Sequence, residues 1–123
     1  MVLCPTDVMP RFTVVAHDHP YDHWDLFLEA GPVLRTWRLV PRLEPDIPTT
    51  VEPTPDHRLH YLDYEGPLSG GRGNVARVDA GTFNWESDEP DRIVVELAGT
   101  FLVGRLTLSR SNGGWSASFD RVL

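Results

Sequence analysis

The sequence predicts an all-β chain: a small antiparallel β-barrel of about eight strands, with a proline-rich loop and little helix. Three observations predict it. Apolar and polar residues alternate in short runs from Arg11 onward, the period of a strand buried on one face. Clusters of Gly, Pro, Asn and Asp interrupt those runs at even intervals. No segment carries the 3.6-residue spacing of an amphipathic helix. Strands this short and evenly spaced favour closure, because a closed barrel leaves no exposed edges. A two-sheet sandwich is the main alternative.

The elements follow in order. Residues 1–10 hold two prolines and no periodicity, and read as a loose tail ahead of one domain over 11–123. Arg11 to Ala16 is the first strand and His23 to Glu29 the second. Ala30-Gly31-Pro32 is a turn that leads into a third strand, Val33 to Val40, so the second and third form a hairpin. Residues 41–56 carry prolines at 41, 45, 48, 53 and 55. That density predicts a loop with one short edge strand around Thr49 to Val51. His57 to Glu65 alternates again and reads as a strand. Gly66 to Gly73 is a glycine-rich loop. Asn74 to Val78 and Gly81 to Glu86 read as two short strands about Asp79-Ala80, and Ser87 to Asp91 as an acidic turn. Arg92 to Ala98 and Phe101 to Ser109 form a hairpin about Gly99. Trp115 to Phe119, after the Ser111 to Gly114 turn, is the last strand.

With 123 residues, 41% apolar and 24% charged, the chain is long enough for one core without a covalent staple. Cys4 is alone, which excludes an intramolecular disulfide and a cysteine zinc site and fits a reduced thiol in a cytoplasmic protein. There is no apolar run of membrane-spanning length and no basic-then-apolar leader pattern. The net charge is −7, which argues against a general nucleic-acid coat. All eleven basic residues are arginine, whose planar fork suits the grip of a single phosphate. Arg35, Arg38 and Arg42 are candidates for that task, though alternation puts Arg35 and Arg38 on opposite faces.

His17-Asp18-His19-Pro20-Tyr21-Asp22-His23-Trp24-Asp25 concentrates three of the five histidines and three carboxylates in nine residues. On a strand, His23 and Asp25 share a face about 6.5–7 Å apart at Cα. If His17 folds back across the Pro20 turn, the three residues make an imidazole–imidazole–carboxylate set, that of an open divalent-metal site. The other reading is three polar surface residues near a turn. His57, after Asp56, is either a phosphate contact or general acid, or an exposed residue at a turn. His19 and His60 read as bystanders. Asp63-Tyr64-Glu65 reads as a strand end with one structural Glu bonded to loop backbone. Gly66 to Gly73 lacks the Lys-Ser/Thr ending and following helix of a phosphate loop. The four tryptophans read as core and barrel-end plugs.

Six segments, in this order, resemble the 3′-phosphoesterase domain of bacterial DNA ligase D. They begin at Arg11-Phe12 and His17-Asp18. His23-Trp24-Asp25-Leu26-Phe27-Leu28-Glu29 is similar to the family's His-Tyr-Asp-x-Arg-Leu-Glu strand. Trp37 to Arg42 is similar to Trp-Ala-x-Pro-Lys with one residue extra. Asp56-His57 and Tyr61-Leu62-Asp63-Tyr64-Glu65-Gly66 resemble Asp-His-Pro…Tyr-x-Asp-Phe-Glu-Gly. Asp79-Ala80-Gly81-Thr82-Phe83 resembles the Asp-x-Gly-Thr-Trp turn, and Leu97-Ala98-Gly99 to Leu108 the terminal hairpin. The resemblance covers about residues 11–119, and is closer still to short relatives without polymerase and ligase modules.

The resemblance implies a barrel whose open end binds Mn²⁺, with Zn²⁺ or Co²⁺ as other divalent metals. His17, His23 and Asp25 fall on its metal ligands, and His57 on the histidine that contacts the scissile phosphate. Arg42 falls on a basic residue of the site. The implied activity removes a 3′-terminal ribonucleoside and then the 3′-phosphate, leaving a 3′-OH for ligation in non-homologous end joining. The implied partners are a nucleic-acid 3′ end or small phosphoester and DNA repair proteins, the protein itself being a monomer. Three departures thin the cationic half: the family's Arg two residues after the metal Asp is Phe27, the Arg before the metal His is Tyr21, and a further basic position is Thr49 or Thr50. A catalytically degenerate metal-binding module, and a metallohydrolase of another phosphoester, therefore stand as alternatives.

Overall fold

The computed structural model describes residues 9–41 and 43–122. The expectations about Cys4 and residues 1–8, and the assignment of Arg42 to the site, lie outside the described residues. The strands are β1 (Arg11–His17), β2 (His23–Ala30), β3 (Val33–Val40), β4 (Thr49–Arg58), β5 (Gly66–Pro67), β6 (Asn74–Glu89), β7 (Arg92–Gly99), β8 (Val103–Ser111) and β9 (Gly114–Arg121). Their order in the sheet is β1-β2-β3-β4-β9-β8-β7-β6, and β1 pairs with β6 to close an antiparallel eight-stranded barrel. The two-residue β5 pairs with the start of β6 outside that ring.

Period-2 alternation fills the barrel. Phe12, Val14, Leu26, Leu28, Trp37, Leu39, Val51, Phe83, Val95, Leu106, Leu108 and Phe119, drawn from β1 to β4 and β6 to β9, form one buried core. Trp24, Trp85 and Trp115 pack against it, as the plug reading expects.

Three expectations about the strands need correction. The proline-rich stretch is not a loop with a three-residue edge strand: β4 runs from Thr49 to Arg58. It pairs with β9 only through Thr49, Thr50 and Val51, so beyond Val51 one edge has no ladder to feed and the missing N–H groups of Pro53 and Pro55 break nothing. Residues 57–65 do not form a strand. Leu59–Leu62 is a 3₁₀ turn, and Leu62, Tyr61 and Tyr64 pack inward together, a spacing alternation does not allow. Asn74 to Glu86 is not two strands. β6 is continuous, and Val78 is an extra residue in its pairing with β1, a bulge that redirects Asp79 without ending the ladder.

The bulged Asp79 explains one of the sequence segments. It is buried, and its carboxylate accepts N–H groups of Ala80 (2.9 Å), Thr100 (2.9 Å), Phe101 (3.0 Å) and Leu102 (2.7 Å). It thereby supplies the acceptors for the β7–β8 loop, whose own N–H groups have no ladder partner there. Gly99 must lack a side chain because a Cβ would strike the Asp79 carboxylate and the Phe12 ring.

Candidate metal centre

The site lies on the outer face of the wall made by β1, β2 and β3, not at the open end of the barrel. Leu26 and Leu28 point into the core, so His23, Asp25 and Phe27 point outward. A second apolar cluster on this outer face joins Val15, Phe27, Leu34, Leu62 and Val75, with Tyr61, Tyr64 and Leu68 packed against it. The segment 59–73 covers it, and the buried Thr13 hydroxyl fastens that segment by donating to the Leu62 carbonyl (2.8 Å). Between wall and cover lies a cleft of about 410 Å³.

His17 and His23 end β1 and begin β2 and stand directly opposite in register. The turn between them is held by Asp18, whose carboxylate accepts the Asn74 N–H (2.7 Å). Asp18 and Asp22 are thus turn and solvent residues. Asp25 lies one outward position along from His23 and is 7% exposed; His23 is 1% exposed. One Asp25 carboxylate oxygen lies 3.4 Å from His17 Nδ1 and 3.3 Å from His23 Nε2. The three ligand atoms fall within 4.8 Å of one another.

The outer hydrogen bonds fix which ring atoms face inward. His17 Nε2–H donates to the Arg72 carbonyl (2.9 Å), and His23 Nδ1–H donates to the Tyr21 carbonyl (2.9 Å). A carbonyl can only accept, so these nitrogens carry the protons and, in neutral rings, His17 Nδ1 and His23 Nε2 present lone pairs. Two lone pairs and a carboxylate oxygen therefore converge with no donor between them. Such a set repels itself unless a cation or proton sits at its centre. Backbone carbonyls behind ligating imidazoles are the usual outer support of metal-bound histidine. With bonds of about 2.1 Å, ligands of a four-coordinate ion stand ~3.4 Å apart, the distance of the Asp25 oxygen from each histidine nitrogen. The residues present fit a divalent metal.

His57 lines the same cleft, and a β-bulge puts it there. Thr36 pairs with Thr54 but Leu34 pairs with His57, so β4 has one residue more than β3 between those points. The extra residue flips the parity, and His57 rather than Asp56 joins Thr36 and Leu34 on the outer face. Its Nδ1 lies 3.0 Å from both the Pro55 carbonyl and the Thr36 hydroxyl, which itself donates to the Leu34 carbonyl. Nδ1 is therefore the protonated nitrogen, and Nε2 is the free one. The ring packs against Phe27 (5.3 Å) and Tyr61 (5.7 Å between centroids).

Arg38, one of the three anion-binding candidates read from sequence, lines the cleft, as do Arg58 and Arg72, which that reading did not single out. Arg38 had a legible signal. The Gly31-Pro32 turn sets Ala30 opposite Val33, and counting back along the hairpin sets Asp25 opposite Arg38. Arg35 faces away, paired with Asp88 (3.0 Å) and lying over Trp85. His19 lines the cleft mouth despite its reading as a bystander, and His60 stacks on Tyr61 and Tyr64. Glu65 is structural, accepting the Arg77 N–H (2.7 Å). Asp63 pairs with Arg11 on the cover's outer side. The hydrogen bond from Arg11 holds the Asp63 carboxyl below the usual carboxylate range, and the same bond raises the Arg11 guanidinium.

The chain is 31% identical over 112 residues to the multifunctional non-homologous end joining protein LigD of Pseudomonas aeruginosa, an alignment covering 83% of this chain and 13% of that protein. This chain thus spans a small part of that relative's length. Residues 15–110, which carry His17, His23, Asp25 and His57, match the DNA ligase D 3′-phosphoesterase domain, and the chain belongs to that family.

Proposed function

We propose that this protein is a divalent-metal-dependent phosphoesterase that trims the 3′ ends of nucleic acid. The observation that carries the reading is the convergence of two imidazole lone pairs and a carboxylate oxygen beside a cleft that also holds His57. His17, His23 and Asp25 would hold the metal, Mn²⁺ by family or Zn²⁺ or Co²⁺. When bound, the ion supplies Lewis-acid polarisation of a phosphoryl oxygen.

The protein's own groups account for the rest. Arg72 and Tyr21 carbonyls orient the two imidazoles. His57, when protonated on both nitrogens, keeps its Nδ1–H on Pro55 and turns its Nε2–H to a phosphoryl or leaving oxygen, as contact or general acid. Val15, Phe27, Leu68 and Val75 give the cleft an apolar floor that limits water. The relative's name, a non-homologous end joining protein, supports end joining as the setting, with DNA repair proteins as the partners proposed.

Incubation with Mn²⁺ and a primer-template ending in a ribonucleotide or 3′-phosphate tests it. The expected outcome is a shortened or dephosphorylated 3′ end, lost with chelator and reduced on the order of 10²-fold in His57→Ala. Phe27, buried where the family pattern has arginine, favours a second reading as a metal-binding interaction module. Uptake of Mn²⁺ near 1:1 with no change in any 3′ end at high protein concentration would select it.

A further inference from the structure

Phe27 cannot grip a phosphate, yet the cleft retains a cation without a counter-charge. Arg38 stands opposite Asp25 on β3, at the position where the family's Trp-Ala segment has a small side chain. Its Nε is shielded from solvent and has no acceptor. Among the described residues its Nη1 reaches only the Tyr21 hydroxyl, at 3.4 Å, and the guanidinium lies 5.6 Å from the Tyr21 ring centre. Among the described residues no carboxylate comes within ion-pair distance of it. Arg11, Arg35, Arg105 and Arg110, by contrast, are each held by an Asp or Glu. Two carboxylates stand opposite it in register: Asp25 on β2, committed to His17 and His23, and the exposed Glu52 on β4, which makes no ion pair with it.

The other two cleft arginines are less available. Arg72 spends Nε and Nη2 on Ser69 (2.7 and 3.0 Å), and Arg58, which like Arg38 lies over a tyrosine, is exposed, so water meets its donors. A partly buried guanidinium with an unmet donor is costly unless an anion completes it. A phosphoryl group held beside the His17–His23–Asp25 set would be that anion.

We infer that Arg38 is the phosphate-gripping cation of this cleft, moved from β2 to the neighbouring strand β3 where Phe27 has displaced it. The inference rests on the phosphoesterase reading for its consequence in turnover, but not for anion binding. Its test is therefore inorganic phosphate titrated into Mn²⁺-loaded protein. Arg38→Met should weaken phosphate binding by about tenfold or more, Arg38→Lys by less because one charge remains, and the remote, exposed Arg92→Met by less than about twofold. Mn²⁺ uptake by each variant shows that the site is folded. In the wild type loaded with diamagnetic Zn²⁺ in place of Mn²⁺, the Arg38 Nε–H resonance should move on phosphate addition while that of Arg92 stays, a readout that needs no variant. If the enzyme turns over, free guanidinium should partly restore Arg38→Met, which a packing defect would not allow. Phosphate binding absent from wild type, or unchanged in Arg38→Met, overturns the inference. Phosphate binding that depends on Arg38 in a protein that alters no 3′ end upholds it and removes the phosphoesterase reading instead.

Discussion

The two faces of β2 do different work one residue apart. Leu26 and Leu28 are fully buried in the barrel core, while His23, Asp25 and Phe27 line the outside under the 59–73 cover. The inner face holds the wall rigid. The outer face uses that rigidity to keep three acceptor atoms together that would otherwise push apart. A site built this way should lose function and stability through different residues. The largest effect expected on the outer face alone is that of Asp25→Asn. This isosteric change removes the anionic ligand but gives the two imidazole lone pairs an N–H donor. Divalent-metal affinity, read by calorimetry, should fall by more than about 100-fold, while the melting temperature of metal-free protein should not fall. Affinity within threefold of wild type would mean that the carboxylate is not a ligand.

The inner face gives the converse experiment. Leu28→Ala should cost about 2–5 kcal/mol in urea unfolding, from lost burial and the cavity left behind, with metal affinity of the folded fraction unchanged. A parallel loss of affinity would show that the ligand geometry depends on core packing. His23→Ala is a poorer probe, because His23 is both a ligand and 1% exposed, so it strikes both faces together.

The same contrast explains how much was legible in the sequence. The wall was legible because alternation is local: β1, β2, β3 and β7 fall within a residue or so of their expected bounds, and pairing His23 with Asp25 on one face follows from period 2 alone. The hairpin count that sets Arg38 opposite Asp25 was equally available. Bulges were not, because one extra residue shows only against a partner strand. Hence the β4 bulge that aims His57 and the β6 bulge that frees Asp79 both lay hidden, and β6 read as two strands. The cover was misread for a related reason. Leu59 to Glu65 alternates in composition, yet Leu62 and Tyr61 are turned inward by contacts with Phe27, Val75 and His57, which are distant in sequence.

The smallest effect concerns what holds the cover over the outer face. Thr13 fastens it from the buried side and the Arg11–Asp63 pair from the exposed side, with side chains 43% and 63% exposed. Exposed pairs of this kind contribute only about 0.2–1 kcal/mol. The folded Asp63 carboxyl titrates below its unfolded value. Its contribution is therefore complete above the unfolded carboxylate range and is lost as pH falls through the depressed folded value; the raised Arg11 adds no change in that window. Asp63→Asn should flatten this acid limb of the stability profile, lower the neutral-pH melting temperature slightly, and leave Mn²⁺ affinity and phosphate binding as they were. If phosphate binding weakens severalfold instead, the exposed pair is what keeps Tyr61 and the cover in register with His57. The cleft would then be shaped by its surface as much as by the buried wall beneath it.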